Sequence, residues 1–147
     1  MASIADIAAA ADLLPITSVA IEGESDLLRV RSTTRAYARQ AGLGVTGTTK
    51  VVTAASELAR NILRHATGGK GVATVREAAS GQRRGVQAVF TDNGPGIADL
   101  DAAMRSGFST AGSLGLGLPG SRRLVDEFAI DSAPGSGTRV AICQWDR

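Results

Sequence analysis

Two short alternating runs, Gly71-Val72-Ala73-Thr74-Val75-Arg76-Glu77 and Val86-Gln87-Ala88-Val89-Phe90-Thr91, stand on either side of Ser80-Gly81-Gln82-Arg83-Arg84-Gly85. Alternation at a period of two is the mark of a strand, and a turn-rich loop this short closes a hairpin. Sequential antiparallel strands exclude repeated βαβ winding, in which parallel neighbours need a crossover of about a dozen residues or more. Upstream, Ile16 to Glu22 is rich in β-branched residues and reads as a strand, and Glu24-Ser25-Asp26 offers a helix cap. A helix follows to about Ala41, Gly42, Gly44 and Gly47 break the chain, and a second helix runs from Thr48 to about Ala66, stopping at Gly68-Gly69. Projected at about 100° per residue, Val51, Val52, Ala55, Leu58, Ala59, Ile62, Leu63 and Ala66 form one apolar arc. Lys50, Glu57, Asn61 and Arg64 share the opposite stripe.

Farther on, Asp99 to Arg105 suggests a short helix and Leu118 to Phe128 a longer one. Ala129–Ser132 and Thr138–Trp145 read as strands around the turn Pro134-Gly135-Ser136-Gly137. The order β-α-α-β-β-(α)-α-β-β predicts an α+β fold: a two-layer sandwich with helices on one face of a mixed, mostly antiparallel sheet. At about 100–200 residues per domain, the 147 residues make one domain over 16–147, after an Ala-rich extension over 1–15 that ends at Pro15.

Composition narrows the function. A net charge of +2 and five aromatic residues leave no basic footprint and few stacking platforms, so no nucleic-acid partner is expected. One His and one Cys exclude a zinc site, and Cys143 in Val140-Ala141-Ile142-Cys143 reads as a buried thiol. The first residues carry no basic stretch, and Asp6 and Asp12 interrupt their apolar run. Neither a signal peptide nor a membrane span is therefore expected, and the reading is cytoplasmic. Glycine is the outlier, with 18 residues, of which Gly94, Gly96, Gly107, Gly112, Gly115, Gly117 and Gly120 crowd one region.

That region holds the candidate chemistry. Asp92-Asn93-Gly94-Pro95-Gly96-Ile97 follows a strand, so it is either an ordinary turn or an acidic acceptor fixed beside glycines that let a flat ligand approach. A carboxylate there suits the exocyclic amine of adenine and not the carbonyl edge of guanine. Gly115-Leu116-Gly117-Leu118-Pro119-Gly120 matches G-x-G-x-x-G literally, but no strand precedes it and no βαβ unit surrounds it. Its glycines before a helix start still make an anion cradle. Glu57 and Asn61, four apart, lie one turn from each other and can address one small object; by themselves they read first as two residues of a solvated face.

Together, Glu57-x-x-x-Asn61, Asp92-x-Gly94-x-Gly96, Gly115-x-Gly117-Leu118 and Gly135-x-Gly137-Thr138 resemble, in order, the N, G1 and G2 boxes and closing Gly-Thr of the GHKL ATPases, over about Ile16 to Trp145. Ser56-Glu57-Leu58-Ala59-Arg60-Asn61-Ile62, Gly107-Phe108-Ser109-Thr110 and Leu124-Val125-Asp126-Glu127-Phe128 are most similar to the serine/threonine switch kinases of bacterial stressosome partner-switching modules, relatives of the anti-sigma factor kinases. The resemblance implies the Bergerat ATP-binding fold, ATP and Mg²⁺ as cofactors, and phosphorylation of STAS-domain antagonist or scaffold proteins that frees a phosphatase or other effector. It also implies two alternatives, an anti-sigma factor that binds a sigma factor directly and a nucleotide-dependent switch without catalysis. By the same resemblance Glu57 is the general base or orienting acceptor for the substrate hydroxyl and Asn61 the Mg²⁺ ligand. Asp92 then takes the adenine amine with Thr138 assisting, and Gly94, Gly96 and Ile97 lie around the base. Gly115, Leu116, Gly117 and Leu118 offer N–H groups to the phosphates, and residues 106–114 form a lid.

Overall fold

The computed structural model describes residues 3, 4, 7, 15–97, 103, 104 and 117–147. Five strands, β1 (Ile16–Ile21), β2 (Gly71–Ser80), β3 (Arg83–Asp92), β4 (Glu127–Ser132) and β5 (Thr138–Trp145), form one sheet in the order β1-β2-β3-β5-β4. All four pairings are antiparallel. The α-helices α1 (Ser25–Gln40), α2 (Val45–His65) and α3 (Gly117–Leu124) accompany it among the described residues, and α1 and α2 pack on each other and on the sheet. This is the α+β sandwich that the order of elements predicts. The expected helix over 99–105 lies outside the described residues apart from Ala103 and Met104.

Burial holds α2 in place. Apart from Lys50, its first half, Val45-Thr46-Gly47-Thr48-Thr49-Lys50-Val51-Val52-Thr53, is made of glycine and β-branched residues that cost up to about 1 kcal/mol each against alanine in a helix. Val51, Val52, Leu58 and Ile62 are all buried, and complete burial of such a side chain is worth about 1.5–3 kcal/mol, so packing outweighs propensity. The helix starts at Val45, three residues upstream of the expected start at Thr48, with Val45 and Thr46 exposed. Gly44 is the extended cap residue, and the Thr48 N–H donates to its carbonyl at 3.0 Å. Opposite α2, the helix-facing rows of the sheet supply Val19, Val75, Phe90, Phe128 and Ile142 to the same core.

Two further boundaries differ from the sequence expectation. The hairpin strands run to a two-residue turn at Gly81-Gln82, because Ser80 pairs with Arg83 in register and Arg84 forms an ion pair with Glu77 across the strands. The last helix ends at Leu124 instead of Phe128. Beyond it, the backbone N–H of Asp126 donates to Gln144 Oε1 at 2.9 Å, and its Oδ2 accepts the Trp145 N–H at 2.9 Å. These bonds pin the chain to β5 and pull Glu127 and Phe128 into β4, where Phe128 opposes Ile142. The far face of the sheet is lined by the small residues Ala78, Ala129, Ala141 and Cys143, and Ile7, 2% exposed and helical, packs there beside Trp145.

Candidate functional site

Strand parity gathers the polar residues. In β3 the buried Val86, Ala88 and Phe90 face the helices, so Asp92, next in that row, faces them too. Asp92 pairs with Thr138, and Thr138 with Ser132, in the registers of β3 with β5 and β5 with β4. Three polar side chains therefore end three adjacent helix-facing rows at one edge of the core. Asp92 Oδ1 accepts the Gly94 N–H at 2.8 Å, which fixes the turn and leaves Oδ2 for another donor. Ile97 is tied in from the same loop, its N–H donating to Ser132 Oγ at 2.8 Å.

Close approaches locate this edge against α2. A Cβ on Gly94 would sit 2.9 Å from Ala66 Cα and 3.2 Å from the His65 carbonyl, so the turn after β3 abuts the C-terminal end of α2. Asn61 lies one turn before His65 and Glu57 one turn earlier, and both are half-buried instead of fully solvated. The Glu57 carboxylate pairs with Arg60 Nη1 at 3.2 Å, its side chain 13% exposed against 35% for the arginine. Gly117 and Leu118 open α3, which packs on α2, and Leu118 rests against the core. Gly115, Leu116 and the expected lid over 106–114 lie outside the described residues.

Two participants escape the motif reading. Arg60 was visible in principle, since its spacing from Glu57 places the two on one helix face. Ser132 carried no local signal, because its partners come from Ile97 and the 137–138 turn. Cys143 is inert by comparison: burial pushes its thiol pKa upward, and the nearby Glu127 carboxylate pushes it further, so no thiolate nucleophile forms at neutral pH. Arg83 and Arg84 are likewise engaged locally, Arg83 over the Trp145 ring at 4.4 Å and Arg84 with Glu77.

Gly96 is the turn position with least tolerance. Its φ of +77° is left-handed, and an added Cβ would lie 1.9 Å from the Ala133 carbonyl oxygen. The left-handed conformation costs about 1–2 kcal/mol and the overlap about 1–3 kcal/mol more, so Gly96→Ala destabilises the fold by about 2–5 kcal/mol. Thermal unfolding should show a fall in Tm of roughly 6–15 °C. An unchanged Tm would mean that the 94–97 loop does not lie against the β4–β5 turn.

A helix pair over an open antiparallel sheet, with an acid and a hydroxyl at adjacent strand ends, fits the class of GHKL-type ATP-binding domains. Residues 22–144 match the model of the histidine kinase-like ATPase domain, and the chain belongs to that family. Within it, the chain is 41% identical over 129 residues to Serine/threonine-protein kinase RsbT of Bacillus subtilis (strain 168), across 88% of this chain and 96% of that protein. It is 29% identical over 119 residues to Anti-sigma F factor of Thermoanaerobacter sp. (strain X514), across 78% of this chain and 82% of that one. Its fold resembles the crystal structure of the RsbU and RsbW domains of a Mycobacterium tuberculosis protein, with a TM-score of 0.62 at 21% identity. The match covers 88% of this chain and 32% of that longer one.

Proposed function

We propose that the protein is an ATP- and Mg²⁺-dependent protein serine/threonine kinase acting on STAS-domain antagonist or scaffold proteins of a bacterial stress partner-switching pathway. The observation that carries this reading is the Glu57 carboxylate, half-buried, paired with Arg60 and one turn from Asn61 on the helix that abuts the Asp92 turn. A domain that only bound nucleotide gains nothing from a carboxylate beside phosphates, since like charges repel. The 41% identity to a serine/threonine-protein kinase supports the same reading.

In this mechanism Asp92, assisted by Thr138, accepts from the adenine amine, while the N–H groups of Gly115, Leu116, Gly117 and Leu118 donate to phosphate oxygens. The substrate hydroxyl oxygen bonds to the γ-phosphorus as the bridging P–O bond breaks and ADP leaves. Glu57 takes the hydroxyl proton and later returns it to water. Asn61 suits Mg²⁺ as a single oxygen ligand. Among the described residues no three His, Cys, Asp or Glu gather to hold a metal, and Mg²⁺ is commonly held by one or two side chains together with substrate phosphates. When bound, the ion offsets the charge of the phosphates.

The kinase domain of this reading is 16–147, with 1–15 as an extension. No helix among the described residues is long and apolar enough to cross a membrane, and the reading puts the kinase in the cytoplasm with its substrate and a downstream phosphatase or other effector. Likeness to an anti-sigma F factor favours a second reading, a kinase that also holds a sigma factor. Incubation with labelled ATP, Mg²⁺ and a STAS-domain protein of the same genome should yield phosphoserine or phosphothreonine. Intact binding of both without phosphorylation would sink the kinase reading, and co-purification of a sigma factor would favour the second.

A further inference from the structure

Ser132 has no part in the motifs, yet three segments meet at its hydroxyl. It accepts the Ile97 N–H at 2.8 Å, donates to the Gly137 carbonyl at 3.0 Å and lies 2.8 Å from Thr138 Oγ1. A serine hydroxyl has one proton and two acceptor sites. The Gly137 carbonyl can only accept, so it claims the proton. Ser132 then has only acceptor capacity left for Thr138, and the Thr138 proton must point back at Ser132. All three capacities are filled, and whatever else Thr138 Oγ1 meets, it meets as an acceptor.

Asp92 stands beside Thr138 in register, with Oδ1 on the Gly94 N–H and Oδ2 remaining. An ionised carboxylate also only accepts. We infer that Ser132 is a positioning residue for base selectivity: by fixing the direction of the Thr138 proton it makes this edge of the pocket acceptor-only, and so selects a purine bearing a 6-amino group over one bearing a 6-oxo group. This inference rests on the nucleotide site proposed above. A purely structural Ser132 would hold the 94–97 loop and the β4–β5 turn together and weaken all purine nucleotides alike when lost.

The test measures the dissociation constants of ATP and inosine triphosphate, whose 6-oxo group accepts where the adenine amine donates. In Ser132→Ala the Thr138 hydroxyl is free to rotate and donate. ATP affinity should fall about three- to tenfold, the usual worth of one hydrogen bond, while inosine triphosphate affinity falls less, so the ratio narrows. Ser132→Cys, close in size with a weak acceptor, should narrow the ratio in the same direction and serves if the alanine variant does not fold. In a Thr138→Val background, Ser132→Ala should leave the ratio unchanged. Equal loss of both nucleotides in the single variants overturns the selectivity role. A wild-type protein that binds neither nucleotide overturns the site itself, and that result is read before any variant is made.

Discussion

Glu57→Ala leaves ATP binding intact and lowers phosphoryl transfer by about 10²–10⁴-fold, the usual contribution of a positioned general base. The structure makes the variant clean. The hydrogen-bonded partner of the Glu57 side chain is Arg60, which is 35% exposed and can turn to water when the carboxylate is removed. The lost pair costs at most about 1 kcal/mol of stability, and alanine is the best helix former at a mid-helix position. Glu57→Gln is the sharper companion, since the amide oxygen still accepts from Arg60 while the group no longer takes a proton. Single-turnover transfer to the STAS-domain substrate, with ATP affinity measured on the same preparations, separates the possibilities. Loss of binding along with transfer would move Glu57 from the chemistry to the pocket, and full transfer in both variants would remove it from the mechanism.

Asp92→Asn should have the opposite signature, a fold that persists and an ATP affinity lowered by about 10²-fold or more. Asparagine keeps an oxygen for the Gly94 N–H, so the turn holds, but it presents an amide donor to the adenine amine where the carboxylate accepted. A hydrogen bond to a charged group is worth about 1.5–3 kcal/mol, and facing two donors adds the cost of leaving both unpaired. Asp92→Ala is less informative because it also frees the Gly94 N–H and loosens the loop that Ile97 ties to Ser132. Titration with a fluorescent ATP analogue beside thermal unfolding checks the claim. Wild-type affinity in the asparagine variant would mean that the base is not read at β3.

Local periodicity carried the sequence reading where packing and period agree. Val51 to Ile62 on α2 and the two hairpin strands are examples, since one face of each is buried and the other is not. It failed at Phe128, where an apolar spacing continued past the true helix end. The stop comes from Asp126 bonding to Gln144 and Trp145, partners 18 and 19 residues away that no local window contains. The same distance hid Ser132, whose bond to Ile97 spans 35 residues. Asp92 and Thr138 were legible because each follows or opens a strand beside glycine, but only the register shows them to be neighbours. Gly115 and Leu116 were read from their cradle motif alone and lie outside the described residues.

The position of β5 between β3 and β4 has a consequence for how the protein comes into being. A growing chain that has emerged as far as β3 already holds Glu57, Asn61 and Asp92 and can close the β1-β2-β3 antiparallel ladder. It still lacks Ser132 and Thr138, which are seated only when the β4–β5 hairpin pairs with β3. The Ile97 N–H therefore lacks its Ser132 acceptor until the last hairpin docks. The acceptor-lined edge proposed for the base is completed only when β4 and β5 have joined β3, so the proposed recognition of the base cannot precede their pairing.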